Sequence, residues 1–186
     1  MVGFAATSAP VQDKVRWTTN YYSVSGDTLL AIQDSLHAGR PWKDKSALDG
    51  STEWQVDWRF KLRRSEDGCQ IQQFTTTTTI VITLPRWTTW TNAAPGVRQA
   101  WTRYIAALGQ HEAGHAKIGL AAAAELRKQV KELGEDQPCE TLKETVDALG
   151  QRVVTEFKGK DKEYDRVSQH GATQGARLPI ALPRER

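Results

Sequence analysis

The chain has 186 residues, of which 39% are hydrophobic and 25% charged, so it can bury a sizeable core within one domain. Its formal net charge of +3 is small, and no run of lysine and arginine interleaved with aromatic residues predicts nucleic-acid binding. No apolar stretch approaches the roughly 18 residues that a transmembrane helix needs. These features argue against a nucleic-acid-binding or transmembrane protein and favour a small globular domain.

The N-terminal part of the chain predicts one strand and one short helix. The segment Met1–Ala6 is too short for a signal peptide and lacks the basic start of one, although a chain from which a signal peptide had been removed would look the same, and we expect residues 1–13 to be disordered. The residues from Val15 to Val24 predict a strand. Gly26-Asp27 then opens a short helix, which is marked by Leu29, Leu30, Ile32 and Leu36.

A β-hairpin is predicted next. Polar residues alternate with apolar ones in the period-two pattern of a half-buried strand, whose apolar members are Trp54, Val56, Trp58, Phe60 and Leu62. Ser65–Gly68 has turn chemistry, and the β-branched residues between Cys69 and Leu84 predict the antiparallel partner strand. We expect Pro85 to end that strand, because proline cannot donate to a β-ladder.

Two amphipathic helices are predicted in the second half. Apolar residues recur at three- and four-residue steps from Trp101 to Leu133. Pro95 suits the first helical position with Asn92 as a cap, and Gly134 suits the residue just past the end. A second helix starts at residues 136–138, and the short connection makes the two helices antiparallel neighbours. The buried stripe of this second helix is Leu142, Val146, Leu149, Val153 and Phe157.

The predicted fold class is therefore α+β, with a small antiparallel sheet packed on the long helix and on the following antiparallel helix. We expect a single domain over residues 14–176. The chain is polar from Gly159 onward, and its Pro- and Arg-rich end at residues 177–186 is expected to be a disordered tail.

The long helix contains the sequence His111-Glu112-Ala113-Gly114-His115. One helical turn separates the two histidines, so both imidazoles project from the same face and can share one metal ion. Glu112 lies beside that face, where it can reach a metal-bound water rather than the metal. This spacing predicts that His111 and His115 are Zn²⁺ ligands. The alternative is a pair of helix histidines beside a solvated glutamate.

Two residues are candidates for the third zinc ligand. If the two helices face each other symmetrically about residues 133–138, Glu156 lies level with His115. A glutamate on the following helix is the third ligand of the thermolysin-like zinc peptidases. His170 is the alternative ligand if the segment after the second helix folds back. Glu125 lies about 15 Å from His115 along the helix axis, too far to reach the metal.

The same residues suggest a hydrolytic mechanism. Glu112 would take the proton from a zinc-bound water and later pass it to the leaving amine. His170, oriented by Asp165, and Tyr164 would stabilise the tetrahedral oxyanion. A strand of the predicted hairpin would hold the backbone of a peptide substrate by β-addition.

The two cysteines, Cys69 and Cys139, do not form a CxxC pair, which argues against a cysteine metal site. Cys69 begins a predicted strand and Cys139 begins a predicted helix, so a disulfide between them would join the sheet to the helical half. Such a bridge would place the protein in the periplasm or outside the cell, where disulfides persist. Two buried free thiols are the alternative.

In the HEAGH motif, the two cysteines and several other segments, the chain resembles a bacterial family of predicted secreted zinc-dependent proteases, long filed as a domain of unknown function. The resemblance covers most of residues 15–178, and the HEAGH and YD…HG segments are its most specific parts. It implies a zincin-like fold and export, and it leaves the substrate open. Ser168 stands where the family pattern has threonine. The matching positions are Tyr22–Gly26, Trp54, Trp58, Cys69, Cys139, Leu84–Trp87, His111–His115, Tyr164-Asp165, His170-Gly171 and Gln174–Ala176.

The leading hypothesis is a secreted or periplasmic zinc metallopeptidase that acts on a peptide or protein substrate. One alternative is a non-catalytic, zinc-stabilised envelope module that binds a partner through tryptophans in loop-like sequence, namely Trp42, Trp87 and Trp90. Another is a zinc amidase that acts on cell-wall peptides. His37 lies near a predicted helix end, and we expect it to be structural.

Overall fold

A computed structural model of the chain describes residues 11–42, 48–133 and 137–180. The protein is an α+β structure with three strands and three helices in this part of the chain. In chain order these are β1 (Val11–Val24), α1 (Leu29–Gly39), β2 (Ser51–Arg64), β3 (Cys69–Trp87), α2 (Pro95–Lys131) and α3 (Cys139–Ser168). Short 3-10 turns at Trp90–Asn92 and Ala172–Gln174 follow β3 and α3.

The three strands form one sheet in the order β1-β3-β2. The backbone N–H of Ser65 donates to the carbonyl of Gly68 in a tight turn, so β2 and β3 form the predicted antiparallel hairpin. β1 runs parallel to β3, because Asp13 bonds with Thr76 while Val24 bonds with Thr88. The sheet is therefore mixed rather than antiparallel throughout. Helix α1 separates β1 from the hairpin, so no tight turn imposes an antiparallel direction on β1.

The N-terminal strand begins earlier than the sequence predicts. β1 starts at Val11, so residues 11–13 belong to a strand and not to a disordered end. The expected domain boundary at residue 14 consequently falls within β1. The rest of the expected N-terminal segment, residues 1–10, and the last part of the expected tail, residues 181–186, lie outside the described residues.

Strand β3 does not end at Pro85 as predicted, but continues to Trp87. In the hairpin register Arg63 lies beside Gln70, which places Ser51, the first residue of β2, near Ile82. β2 therefore has no residue opposite Pro85. The N–H that proline lacks is not needed there, and the strand can pass through it.

Helix α3 is longer than the sequence predicts, because it runs through Gly159 to Ser168. It is antiparallel to α2, as predicted, since Arg152 donates to Gln129 while Asp161, further along α3, lies against His115, which is earlier in α2. Beyond the predicted apolar stripe, the positions that continue the stripe at three- and four-residue steps are polar. Hydrophobic periodicity cannot detect a helix whose inner face is polar. These positions are Asp161, Tyr164, Asp165 and Ser168.

The described residues form two compact units, and the long helices and the strands contribute to both. The first unit contains residues 11–16, 54–79, 118–133 and 137–160. Cys69 and Cys139 form the predicted disulfide there, with a Cα–Cα distance of 4.9 Å. The predicted stripe of α3 is buried in this unit, from Leu142 to Phe157.

The second unit contains residues 17–42, 48–53, 80–117 and 161–180. Its core includes Trp87, which is only 8% exposed and donates its indole N–H to the carbonyl of Gly26. Trp87 is therefore a core residue and not part of a binding surface, whereas Trp90 is 50% exposed. Trp42 packs partly buried against the same core. None of the described helices combines the length and the apolar character needed to cross a bilayer.

Candidate metal centre

Three ligand atoms of the second unit converge on one point. The Nε2 atoms of His111 and His115 lie 3.2 Å apart, and Asp165 Oδ1 lies 3.2 Å and 3.1 Å from them. For metal–ligand bonds of 2.0–2.1 Å, two ligands of a tetrahedral ion lie about 3.3 Å apart. The spacing of the three atoms therefore matches three corners of a tetrahedral site. Within the described residues, they form the group of histidine and carboxylate side chains that can hold a metal ion.

The other ring nitrogen of each histidine is held by an acceptor. His111 Nδ1 lies 3.0 Å from Gln174 Oε1, and His115 Nδ1 lies 2.9 Å from Asp161 Oδ1. A carboxylate or amide oxygen facing Nδ1 keeps the proton on that nitrogen, and so leaves the lone pair on Nε2. Both imidazoles are thus set in the tautomer that a metal ion requires.

This arrangement has a physical consequence. With both Nδ1 atoms protonated, two nitrogen lone pairs and a carboxylate oxygen face one another at little more than 3 Å. Such groups repel unless a cation or a proton lies between them. His111 and His115 are buried, at 3% and 6% exposure, so water cannot separate the three groups effectively. The donor set therefore fits a metal ion.

Glu112 lies beside this group without belonging to it. Its carboxylate accepts a 2.7 Å hydrogen bond from the hydroxyl of Thr52, at the start of β2. Gly50 lies so close that a Cβ atom there would stand 2.6 Å from Glu112 Oε1. Glu112 is only 3% exposed, and Thr52 at the start of β2 holds its carboxylate in place. It is held as a hydrogen-bond acceptor next to the face of α2 that carries His111 and His115.

The pKa values of these groups differ in the metal-free chain. Burial raises the pKa of Glu112, although the Thr52 hydrogen bond opposes this shift. Burial lowers the pKa of His111. Burial also acts to lower the pKa of His115, but the Asp161 hydrogen bond and the nearby carboxylates outweigh it, and the net shift is upward. The pKa values of the two histidines are thus shifted in opposite directions.

A cavity of about 1020 Å³ opens onto the centre within the second unit. Both histidines, Glu112 and Asp165 line it, together with residues 48–52 and one face of α1. His37, expected to be structural, lines the cavity from the last turn of α1. A molecule in this cavity would contact the histidines and Glu112 together.

The prediction that Glu156 is the third ligand does not agree with this geometry. Its carboxylate is 53% exposed, lies 2.7 Å from Lys160 Nζ, and is not part of the metal-binding group. Asp161, five residues further along α3, lies against His115 instead. The symmetric register assumes that the two helices alone set their alignment. The carbonyl of Gln137 accepts from the N–H of Cys69, which ties the connection between the helices to β3.

The predicted role of Asp165 changes accordingly. It was expected to orient His170, and His170 Nδ1 does lie 3.3 Å from Asp165 Oδ1. However, the same oxygen atom also faces both motif histidines, so Asp165 belongs to the group that could hold a metal ion. His170 has a left-handed backbone with φ of 53°, is 54% exposed at its side chain, and lines the cavity. It is placed at the rim and not among the three converging atoms.

The remaining residues of the centre are Tyr164 and the hydrogen-bond partners of the two histidines and of Glu112. The Tyr164 ring contacts both histidine rings, with each centroid 5.0 Å away, and Tyr164 is not among the described residues that line the cavity. Asp161, Gln174 and Thr52 were missed by the sequence analysis. The one signal in the sequence is that Asp161 and Asp165 repeat the four-residue spacing of the two histidines, on a second helix.

Residues 19–171 match the model of a protein family described as a bacterial protein of unknown function (DUF922). The match runs from the second half of β1 to the turn that carries His170, so it includes every residue of the centre except Gln174. No curated protein and no solved structure matches the chain significantly. Because the match covers most of the sequence, the chain belongs to this bacterial family of unknown function.

Proposed function

We propose that this protein is a zinc-dependent metallopeptidase. The observation that carries the proposal is the convergence of two imidazole nitrogens and one carboxylate oxygen at 3.1–3.2 Å, beside a buried glutamate and on one cavity. Three protein ligands are the usual number in catalytic zinc sites, since the fourth position is left for water or substrate. The glutamate in the motif is the group that such a site needs to move a proton.

His111, His115 and Asp165 would hold the ion. Bound Zn²⁺ supplies Lewis-acid chemistry there and lowers the pKa of water toward neutrality. Asp161 and Gln174 keep the Nε2 lone pairs of the histidines available through their bonds to Nδ1. The protein's own contribution to this part of the site is thus the geometry and the tautomeric state of the ligands.

Glu112 is the proposed general base. It would accept a proton from the attacking water and transfer it to the leaving nitrogen of the substrate. Burial raises its pKa above the ordinary value for glutamate, which brings it closer to neutral pH, where a general base and acid is most effective. Thr52 holds the carboxylate in place during this transfer.

His170 is the proposed oxyanion-stabilising residue, as expected from the sequence. Its place on the cavity rim, with Nδ1 3.3 Å from Asp165, supports this role. The sequence also suggested Tyr164 as a further donor. Its hydroxyl instead accepts from Gln174 Nε2 at 3.1 Å and donates toward the carbonyl of His111 at 3.4 Å. We therefore assign no substrate contact to Tyr164.

The proposed substrate is a peptide. β2 is an edge strand of the sheet, and its first residues, Ser51 and Thr52, line the cavity next to Glu112. An edge strand offers unpaired backbone N–H and C=O groups to which an extended peptide can add. The Cys69–Cys139 disulfide supports export to the periplasm or the exterior, because disulfides persist in oxidising compartments. Peptides of the cell wall are one substrate class there.

The test is peptide hydrolysis by the zinc-loaded protein, with a broad peptide library and cell-wall stem peptides as substrates. Glu112→Gln should retain zinc and fold, but lower the rate by about 10²–10⁴. Glu125→Gln, on the same helix and bonded to Gln129, is the matched control and should cleave at the wild-type rate. Equal rates for the Glu112 variant and the wild type, or no cleavage by the zinc-loaded wild type, would refute the proposal.

A further inference from the structure

The aromatic ring of Tyr164 contacts both motif histidines at once. It stacks on His111 with an interplanar angle of 15°, and it meets His115 edge-on at 82°, with both centroid distances at 5.0 Å. The two imidazoles are themselves nearly perpendicular, with centroids 4.8 Å apart. The rotation of each imidazole decides where its Nε2 atom points. The ring of Tyr164 contacts both imidazoles and can therefore restrict both rotations.

Gly114 provides the space that this ring occupies. A Cβ atom at Gly114 would overlap the hydroxyl and ring carbon atoms of Tyr164. Glycine destabilises a helix interior relative to alanine, so a glycine between the two histidines is unfavourable for α2 by itself. Gly109, five residues earlier on the same helix, faces open space, since a Cβ there would meet nothing within 4 Å. The close approach of Tyr164 therefore distinguishes Gly114 from Gly109.

The hydroxyl of Tyr164 acts on His111 by a second route. Gln174 Nε2 donates to this hydroxyl at 3.1 Å, while Gln174 Oε1 lies 3.0 Å from His111 Nδ1. The hydroxyl therefore helps to fix the amide in the orientation that keeps the proton on Nδ1. Gly171, with φ of 79°, also borders His111, because a Cβ there would lie 2.9 Å from His111 Cγ.

We propose that Tyr164 is a positioning residue of the metal centre, and that the glycine of the HEAGH sequence is required to admit its ring. Tyr164 sets the rotation of both imidazoles by contact and the tautomer of His111 through Gln174. It does not contact the substrate. This inference rests on the metal site of the proposed function, and it is independent of whether the site cleaves peptides.

The experiment measures zinc affinity by competition with a chelator, and the visible absorption of the Co²⁺-substituted protein, which reports ligand geometry. Gly114→Ala should weaken zinc binding by about 10–100-fold, the usual effect of losing a group that orients a ligand, and should change the Co²⁺ spectrum. Gly109→Ala is the matched control, because it makes the same chemical change on the same helix without an overlap. It should leave both readouts unchanged.

Substitutions at Tyr164 separate the ring from the hydroxyl and guard against misfolding of the Gly114 variant. Tyr164→Leu should weaken zinc binding and alter the Co²⁺ spectrum, whereas Tyr164→Phe retains the ring contacts and should restore most of the affinity. The double variant Gly114→Ala with Tyr164→Leu should match Tyr164→Leu alone, because the overlap is gone.

The outcomes are distinct for the two proposals. A wild-type protein that binds no zinc overturns the metal site and this inference with it. If the wild type binds zinc, but Gly114→Ala and Tyr164→Leu show wild-type affinity and spectrum, only the positioning role of Tyr164 is overturned. A loss in Tyr164→Phe as large as that in Tyr164→Leu would also overturn the role of the ring contacts.

Discussion

The hydroxyl of Thr52 donates a 2.7 Å hydrogen bond to Oε2 of Glu112, and so links the first residues of β2 to the motif glutamate on α2. A hydrogen bond donated to a carboxylate stabilises its ionised form and lowers its pKa. Burial acts in the opposite direction and has the larger effect, so the pKa of Glu112 is raised overall. Thr52 therefore limits the upward shift of the Glu112 pKa and favours the ionised, proton-accepting form.

Thr52→Val should raise the pKa of Glu112 further, because it removes the donor and keeps the volume. In the zinc-loaded enzyme, the acidic limb of the pH profile of kcat/KM should move to higher pH. Thr52→Ser retains the hydroxyl and should keep the limb near its wild-type position. An unmoved limb in Thr52→Val, with hydrolysis still dependent on Glu112, would show that Thr52 does not tune this group.

Asp165 and Glu156 can be compared directly as zinc ligands. Asp165→Ala should lower zinc affinity by more than about 100-fold, since loss of a ligand exceeds the roughly 10–100-fold effect of losing a supporting group. Glu156→Ala removes only an exposed ion pair with Lys160, and should leave zinc affinity unchanged. The measurement is chelator competition. The reverse order of affinities would restore Glu156 as the ligand.

His170 gives a second comparison at the same site. His170→Ala should change zinc affinity much less than Asp165→Ala, because His170 lies at the cavity rim and contacts only Asp165 among the converging groups. It should nevertheless reduce the rate of peptide hydrolysis. If the alanine variant loses zinc as completely as Asp165→Ala, His170 is a ligand and not an oxyanion donor.

Asp161 should support zinc binding through His115. Asp161→Ala leaves Nδ1 of His115 without its acceptor, and zinc affinity should fall by about 10–100-fold. Asp161→Asn retains an oxygen at the same position and should recover part of the affinity. If Asp161→Ala binds zinc as tightly as the wild type, the bond to Nδ1 has no influence on the metal site.

The two histidines of the motif could be located from the sequence, because the four-residue spacing on one helix fixes their geometry locally. The third group could not, since its position depends on the register between two helices. A five-residue error in that register separates Glu156 from Asp161. The contacts of Gln137 and Cys139 with Cys69 join the start of α3 to β3, which is a tertiary interaction that helical periodicity does not encode.

The end of α3 was missed for a related reason. Its inner face changes from apolar at Phe157 to polar at Asp161, because from that point it faces the histidines and not a hydrophobic core. Polar residues on the inner face of a helix recur with the same period as apolar ones. They indicate a helix only when the polar residues that they face on the neighbouring helix are known. The His111/His115 and Asp161/Asp165 pairs have the same spacing and face each other in this way.

The disulfide should stabilise the protein markedly. The Cys69–Cys139 bridge closes a loop with a sequence separation of 70 residues, for which the chain-entropy model gives roughly 4 kcal/mol. Replacing both cysteines by serine should lower the free energy of unfolding by about that amount in chemical denaturation. In the absence of reductant, the two cysteines should also resist thiol labelling after the protein is denatured, and they should become reactive once a reductant is added. Labelling of both cysteines without reductant would show that the bridge does not form.

The stability of the metal-free protein should depend on pH through Glu112. Its folded-state pKa is raised by burial above the ordinary value of 4.5, so the folded state binds more protons than the unfolded state between those two values. Folding stability therefore falls as pH rises through this window. Glutamine has the volume of protonated glutamate and no charge, so Glu112→Gln should not show this loss.

Urea unfolding of both proteins with a chelator present, over a series of pH values, provides the measurement. Below pH 4.5 the difference in free energy of unfolding between the two proteins should not change with pH. As the pH rises above 4.5, the stability of Glu112→Gln relative to the wild type should increase progressively, because the exposed carboxyl of the unfolded wild type ionises while the buried carboxyl retains its proton. Glu156→Gln, at an exposed position, should follow the wild type. A wild-type protein that gains stability relative to Glu112→Gln with rising pH would mean that the folded environment favours the charged glutamate, contrary to the burial that the structure shows.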